Sequence, residues 1–146
     1  MAIVFGFQGK AYRNTGTYGT PVWNEITNIR DVTSNLQTDE DDVTTRGGNG
    51  WKQNAATLKD ASIEFEMIYD TADADFTAIQ TAFLNGTSID MAFMDGDITT
   101  TGKQGLRAEM MVSQFGRNEP LAQAMKVPVT VKPAYSSNAP TWYTVP

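Results

Sequence analysis

The clearest pattern of apolar and polar positions lies in residues 61–96, where the hydrophobic period changes twice. Apolar residues at every second position predict a half-buried strand, whose core face carries Ile63, Phe65, Met67 and Tyr69. Glu64 and Glu66 fall on the opposite face of that strand. The alternation returns in Ile89–Phe93, so this stretch predicts a strand, a helix and a second strand.

The helix between these strands is predicted from Thr71 onward, where the spacing of apolar residues lengthens to three or four. Its predicted core stripe consists of Phe76, Ile79, Phe83 and Leu84. Asp70 or Thr71 is the expected N-cap, and Asp73 and Asp75 would fall in the first turn, where the helix dipole favours anions. Asn85-Gly86 is a typical helix end.

Two later segments alternate in the same way and predict strands. Their core faces are predicted to carry Leu106, Ala108, Met110 and Val112 in the first, and Met125, Val127, Val129 and Val131 in the second. Pro128 has no N–H to donate, so the second strand is expected at a sheet edge, at a bulge, or beside an unpaired acceptor. A further strand with Val32, Ser34 and Leu36 on one face is expected before these.

The remaining segments lack a sustained period. They predict an extended N-terminal arm in residues 1–21, a projecting loop in residues 39–50 and an extended C-terminal arm in residues 134–146. The fold class predicted for residues 1–146, taken as a single domain, is mainly β. It consists of about six mainly antiparallel strands, with one α-helix covering an opening or flank.

Composition narrows the function classes. The chain has no cysteine and no histidine, which removes thiolate metal sites and the commonest general base, so neither an enzyme nor a metal or cofactor site is predicted. The "DGD" at Asp95–Asp97 lacks the remainder of a calcium-loop pattern. No signal peptide or membrane span is predicted at the start "MAIVFGFQGK". The net charge of -6 disfavours a general surface for binding nucleic-acid phosphates.

Two acidic features have alternative interpretations. The cluster Asp39–Asp42 ahead of the glycine-rich turn is either an inter-subunit loop or a solvated surface hairpin. Glu64 and Glu66 share a strand face and are either a coupled acid/base pair or part of a solvated or channel-facing surface; the absence of a nearby basic or aromatic pocket favours the surface.

The order of several segments resembles the major tail (tail tube) proteins of long-tailed bacteriophages and related gene-transfer particles. The segments are "WNEITNIRDVT", "DVTTRGGNGW", "LKDASIEFEM", "FLNGTSIDMAF" and "GLRAEMMVSQFGRNEPLAQAMKVPVTVKP". The chain differs at Ala56-Thr57, where family members often have glycine. The resemblance, which extends to the tube protein of type VI secretion systems, implies a β-sandwich or barrel whose copies join edge to edge.

The resemblance also implies a function. Rings of about six subunits would stack into the hollow tail tube of a virion, with other tail proteins (tape measure, tail terminator, baseplate or tip) as partners and double-stranded DNA passing through without specific binding. Synthesis in the host cytoplasm and no membrane contact would follow. On this interpretation the inter-ring loop carries Asp39, Glu40, Asp41, Asp42 and Arg46, and the candidates for the lumen wall are Glu64, Glu66, Arg107 and Glu109.

The main alternative is a non-enzymatic carbohydrate- or surface-binding β-sandwich of a virion. In that case Trp23, Trp51 and Trp142 would supply stacking platforms, although burial in the core or an interface is the simpler role for three scattered tryptophans. A hydrolase ranks third because the chain has no histidine.

Overall fold

The computed structural model describes residues 3–146, and within that range the chain forms eight β-strands and one α-helix. In chain order they are β1 (Lys10–Asn14), β2 (Trp23–Glu25), β3 (Ile29–Asp42), β4 (Asn54–Ile68), α1 (Ala74–Asn85), β5 (Ser88–Met94), β6 (Gln104–Phe115), β7 (Lys126–Pro133) and β8 (Thr141–Thr144). Short 3-10 turns lie at Gly6–Gln8 and Arg46–Gly48.

All strand pairs are antiparallel, and the sheet order is β2-β1-β5-β6-β7-β4-β3. The short strand β8 pairs with the first residues of β6, while β7 pairs with the later part of β6. The sheet curls into a half-barrel, and α1 packs against β6 and β5. The prediction of a mainly β fold with one flanking helix is confirmed.

The main core fills the inner face of the curled sheet, as the alternation predicted. Its buried side chains from three neighbouring strands are Ile63, Phe65, Met67, Ala108, Met110, Val127, Val129 and Val131. Because successive strand residues point to opposite faces, Glu64 lies outside this core and is exposed.

The helix begins later than predicted. Asp73, rather than Asp70 or Thr71, is the N-cap, and its side chain accepts a hydrogen bond from the Asp75 N–H. Asp70 instead accepts from the Ala72 N–H in the preceding turn. Gly86 ends the helix as predicted, with a φ of 66° that glycine adopts without strain.

The buried stripe of the helix also differs from the prediction at its C-terminal end. Phe76, Ile79 and Ala82 are buried, whereas Phe83 and Leu84 are exposed. Phe83 still stacks on Phe115, with ring centroids 6.0 Å apart, so it lies at the core margin. Ala82, three residues after Ile79, takes the buried position instead of Phe83. Because alanine is small, hydrophobicity alone does not mark it as a core residue.

Both predicted arms are partly incorporated into the sheet. Residues 10–14 of the predicted N-terminal arm form β1, between β2 and β5, and Met1 and Ala2 lie outside the described residues. In the predicted C-terminal arm, residues 141–144 form β8. A second, smaller apolar cluster on the outer face of the sheet explains both attachments; it contains Tyr12, Ala92, Met94, Ile98 and Val145.

Pro128 lies in an interior strand, because β7 pairs with both β4 and β6. The Pro128 carbonyl accepts from Gly116, so the missing N–H of Pro128 faces the irregular end of β6. A register shift in β6 between Val112 and Gln114 precedes this point. The edge setting is therefore wrong, and Pro128 lies two residues along β7 from the point opposite this bulge.

The prediction of a loop over residues 39–50 is wrong for its first four residues. Asp39–Asp42 belong to β3, where Glu40 pairs with Ala56 and Asp42 pairs with Asn54. A register shift occurs between Thr38 and Glu40. Pairing with β4 gives the backbone of this segment its hydrogen-bond partners. The acidic side chains extend into solvent from both faces.

Candidate functional site

A long hairpin formed by β3, β4 and the connecting residues 43–53 projects from the sheet. β4 pairs with β7 only between Ile63 and Ile68, so Asn54–Ser62 pair with β3 alone. At about 3.4 Å per residue, this unsupported part extends about 30 Å beyond the neighbouring strand. We call this projecting part, residues 35–62, the long hairpin below.

The long hairpin exposes apolar side chains on a segment that has no core of its own. The exposed large apolar residues are Leu36, Val43, Trp51 and Leu58, with Trp51 and Leu58 exposed by 77% and 74%. An isolated two-stranded ribbon is only marginally stable in water. These side chains and the open outer edge of β3 therefore favour a role in contact with another surface.

Local hydrogen bonds order the end of the long hairpin. The Thr44 hydroxyl and N–H both donate to the Asp42 carboxylate, the latter at 2.9 Å, and they hold the pKa of Asp42 below its usual value. The Val43 N–H donates to the Gln53 carbonyl at 2.9 Å and closes the ladder. Arg46 follows in the 3-10 turn, so the five residues predicted for an inter-ring loop all belong to this hairpin.

A second surface is the polar sheet face, defined by Thr33, Glu64, Glu66, Gln114 and Thr130. Cross-strand pairs place Thr33, Glu64, Thr130 and Gln114 in one row across β3, β4, β7 and β6. A shallow groove follows this row, and Asp31 adds a further carboxylate to it. Glu66 lies beside Arg30, with 3.8 Å between Oε1 and Nη1.

Arg107 lies on the same side of the sheet but is buried. Its Nη2 donates at 2.8 Å to both Asp90 Oδ2 and the Tyr18 carbonyl. Its guanidinium lies 4.0 Å from the centre of the Tyr18 ring and 5.0 Å from that of Trp23. Burial opposes the charged form, but hydrogen bonding to Asp90 and the charge of that residue raise the Arg107 pKa overall.

Glu109 is also partly covered. Ser136 donates its hydroxyl to Glu109 Oε2, and the Ala134 N–H donates to the Glu109 carbonyl at 2.8 Å. The chain after β7 therefore contacts both the backbone and the side chain of Glu109. Of the four residues considered for a lumen wall, Glu64 and Glu66 lie on the open polar sheet face, while Arg107 and Glu109 contact other parts of the same subunit.

Asp75 holds a contact that the sequence pattern did not reveal. It is 5% exposed and accepts from Arg13 Nε at 2.9 Å and from Asn24 Nδ2 at 2.9 and 3.1 Å. The start of α1 is thereby joined to β1 and β2. Only the position of Asp75 in the first helical turn signalled a special role, because its partners are more than 50 residues away in the chain.

The three tryptophans lie on separate elements rather than in one binding platform. Trp23 is on β2 and contacts Arg107, Trp51 is at the end of the long hairpin, and Trp142 is on β8, where its indole N–H donates to Gln104. No group of three acidic residues in residues 3–146 has the geometry to hold a metal ion. No helix within that range combines the length and apolarity needed to cross a bilayer.

Comparison with family models decides the family. A model described as phage tail tube protein matches residues 13–134. The chain belongs to the phage tail tube protein family. The match includes β2–β7 and the last two residues of β1, so both the long hairpin and the polar sheet face lie within the matched region. This tail tube protein is therefore a structural tube subunit, and the carbohydrate-binding alternative is not favoured.

Solved structures support the fold assignment. The tail tube protein resembles a chain in the virion of a native gene transfer agent particle (TM-score 0.69, 14% identity, covering 96% of this chain and 98% of that one). It resembles the SPP1 tail tube (TM-score 0.71, 14% identity, 89% and 75%) and the tail of an empty gene transfer agent particle refined with C6 symmetry (0.67, 16%, 96% and 98%). A comparison with curated protein sequences found no match.

Proposed function

We propose that this tail tube protein forms six-membered rings that stack into a hollow tube, with the long hairpin of each subunit reaching the adjacent ring. The supporting observation is the projection of the long hairpin about 30 Å beyond β7 with exposed apolar side chains. The sixfold arrangement is proposed from the similar gene transfer agent tail, which has C6 symmetry. Stacking would cover the apolar residues that the isolated subunit exposes.

The polar sheet face is proposed to line the channel. It lies opposite the main core, carries exposed Glu64, and leaves α1 on the other side of the sheet. A lining without clustered cations would neutralise few phosphates, so double-stranded DNA would pass without being held. At physiological salt the screening length is about 8 Å, and these carboxylates would act only on DNA close to the wall.

The same proposal includes the remaining tail components. A tube of finite length needs proteins at its ends and inside it, so a tape measure, a tail terminator, and a baseplate or tip are the expected partners. We also propose synthesis in the host cytoplasm, a non-enzymatic role, and no contact with a membrane.

The experiment that tests this proposal removes the projecting part of the long hairpin while keeping its base. Thr38 pairs with Lys59, so residues 39–58 are replaced by Asn-Gly, a pair suited to a two-residue turn. Because no core residue is removed, the variant is expected to keep the parent's circular dichroism spectrum. It is also expected to fail to form tubes in electron micrographs.

A matched control separates the length of the hairpin from its charge. Asp39→Asn, Glu40→Gln and Asp41→Asn keep the strand pairing, and Asp42 is left unchanged because it binds Thr44. We expect this control to form tubes. Tubes from the shortened variant that match those of the parent would show that stacking depends on another surface.

A further inference from the structure

The end of the long hairpin contains an asparagine-glycine pair whose chemistry the tube function does not use. We propose that Asn49-Gly50 is a site of spontaneous deamidation in the free subunit. The Gly50 nitrogen attacks the Asn49 side-chain carbonyl carbon and forms a carbon–nitrogen bond. The side-chain carbon–nitrogen bond breaks, and the amide nitrogen takes up the proton lost by Gly50 and leaves as ammonia. Water then opens the resulting five-membered imide at either carbonyl, which yields aspartate or isoaspartate.

The local structure leaves the attacking group free. Asn49 and Gly50 are both exposed, and the Gly50 N–H donates no hydrogen bond within residues 3–146. Glycine has no side chain to hinder the approach of its nitrogen, and no other atom lies within 4 Å of its Cβ position. Asn49 has a left-handed backbone conformation (φ 53°, ψ 39°), and its backbone must rotate before the Gly50 nitrogen can reach the side chain. Such motion is least restricted at a hairpin tip.

Asn85-Gly86 is a matched pair in the same chain. It is also exposed, so exposure does not separate the two sites. Here, however, the Gly86 N–H donates to the Ala82 carbonyl, and the Thr87 N–H donates to the same oxygen at 3.1 Å. Breaking two ordinary hydrogen bonds lowers the reactive fraction about tenfold, so Asn49 is expected to react about tenfold faster than Asn85.

The modification has a consequence that rests on the proposed function. Either product adds a carboxylate to the hairpin that already carries the acidic segment Asp39–Asp42, and isoaspartate also lengthens the backbone by one carbon atom. In a subunit that remains free, the tip that contacts the next ring would gradually acquire this change and lose its fit. A subunit already in a tube would have its tip covered and would react more slowly.

Peptide mapping by mass spectrometry tests the site directly. The purified parent protein is incubated in mildly alkaline buffer, and the amide-to-acid conversion at Asn49 and Asn85 is followed over time. We expect about tenfold faster conversion at Asn49, with both rates becoming similar after denaturation. Equal rates in the folded protein, or faster conversion at Asn85, would overturn the proposal.

An assembly measurement keeps this inference separate from the stacking proposal. The Asn49→Gly variant removes the reacting amide and keeps a residue suited to positive φ. Aged parent protein should lose tube formation while aged Asn49→Gly protein retains it. Fast conversion at Asn49 with unchanged tube formation would contradict only the role of the tip in stacking, whereas no preferential conversion would contradict the modification site itself.

Discussion

Arg107 and Asp90 form a buried ion pair, with Nη2 and Oδ2 2.8 Å apart and side chains exposed by only 10% and 9%. Asn14 also donates to Asp90, at 2.9 Å, so the pair joins β1, β5 and β6. Replacing Asp90 with alanine leaves the guanidinium buried without its counterion. We expect a loss of about 3–5 kcal/mol in the free energy of unfolding, measured by urea denaturation.

The control for this prediction is the more exposed pair of Arg30 and Glu66, 3.8 Å apart. Arg30→Ala should change the free energy of unfolding by less than about 1 kcal/mol, because both groups remain hydrated. Similar losses of unfolding free energy in Asp90→Ala and Arg30→Ala would contradict the importance assigned to the buried pair.

The position of β7 inside the sheet makes its register testable. Val129 is 1% exposed and pairs with Phe65 on one side and Phe115 on the other, so Val129→Pro breaks an interior ladder. The expected cost is about 3 kcal/mol or more. Lys126→Ala, at the start of the same strand, should cost less than about 0.5 kcal/mol. Thermal unfolding of both variants checks the register, and equal tolerance would show it to be wrong.

Ionisation of the buried Tyr12 phenol is expected to lower the stability of the fold at alkaline pH. Burial is the main cause that raises its pKa above the ordinary value of 10.0, and the hydroxyl accepts from the Ile98 N–H at 3.2 Å. The folded state therefore favours the protonated phenol. The contribution of Tyr12 to the free energy of unfolding is fully present below pH 10 and is lost as the pH rises through the folded-state pKa.

Tyr12→Phe provides the comparison for this pH dependence. This variant loses the Ile98 hydrogen bond at every pH but has no group to ionise, so its difference in stability from the parent should shrink above pH 10. Denaturation in urea at neutral and alkaline pH measures the difference. A constant difference across that range would contradict the assignment to Tyr12.

Alternation along the chain was sufficient to predict β6, β7 and the end of β4 from Ile63 onward, because one side of each is buried and the period is two. The first nine residues of β4 were not predicted. The turn residue Gly86 likewise located the end of α1. Residues 10–14 gave no such signal: β1 has buried residues facing both the main core and the smaller outer cluster, so no alternation marks it.

The candidate surfaces were only partly predictable. An acidic run such as Asp39–Asp42 is typical of a loop, and only its pairing with β4 makes it a strand. Arg107 alternates like an exposed residue, but Asp90 and Tyr18 cover it from distant parts of the sequence. Contacts between residues far apart in the chain decide both outcomes, and no local pattern records them.

The acidic lining of the proposed channel leads to a prediction about DNA. Glu64→Lys and Glu66→Lys change the polar sheet face and leave the core residues of β4 in place. Tubes of this double variant should bind duplex DNA with an affinity that falls steeply with salt, whereas parent tubes should bind weakly with little salt dependence. Parent tubes that bind strongly, or lysine tubes that bind no better than the parent, would argue against this lining.

The most direct test of the account is electron microscopy of the purified, concentrated protein. A tail tube subunit with the proposed contacts should form rings or hollow tubes without other components, and averaged end views should show six subunits around an open channel. Sedimentation velocity on the same samples should show large particles that increase with protein concentration. A protein that remains monomeric and shows neither rings nor tubes at every concentration would contradict self-assembly through its own surfaces.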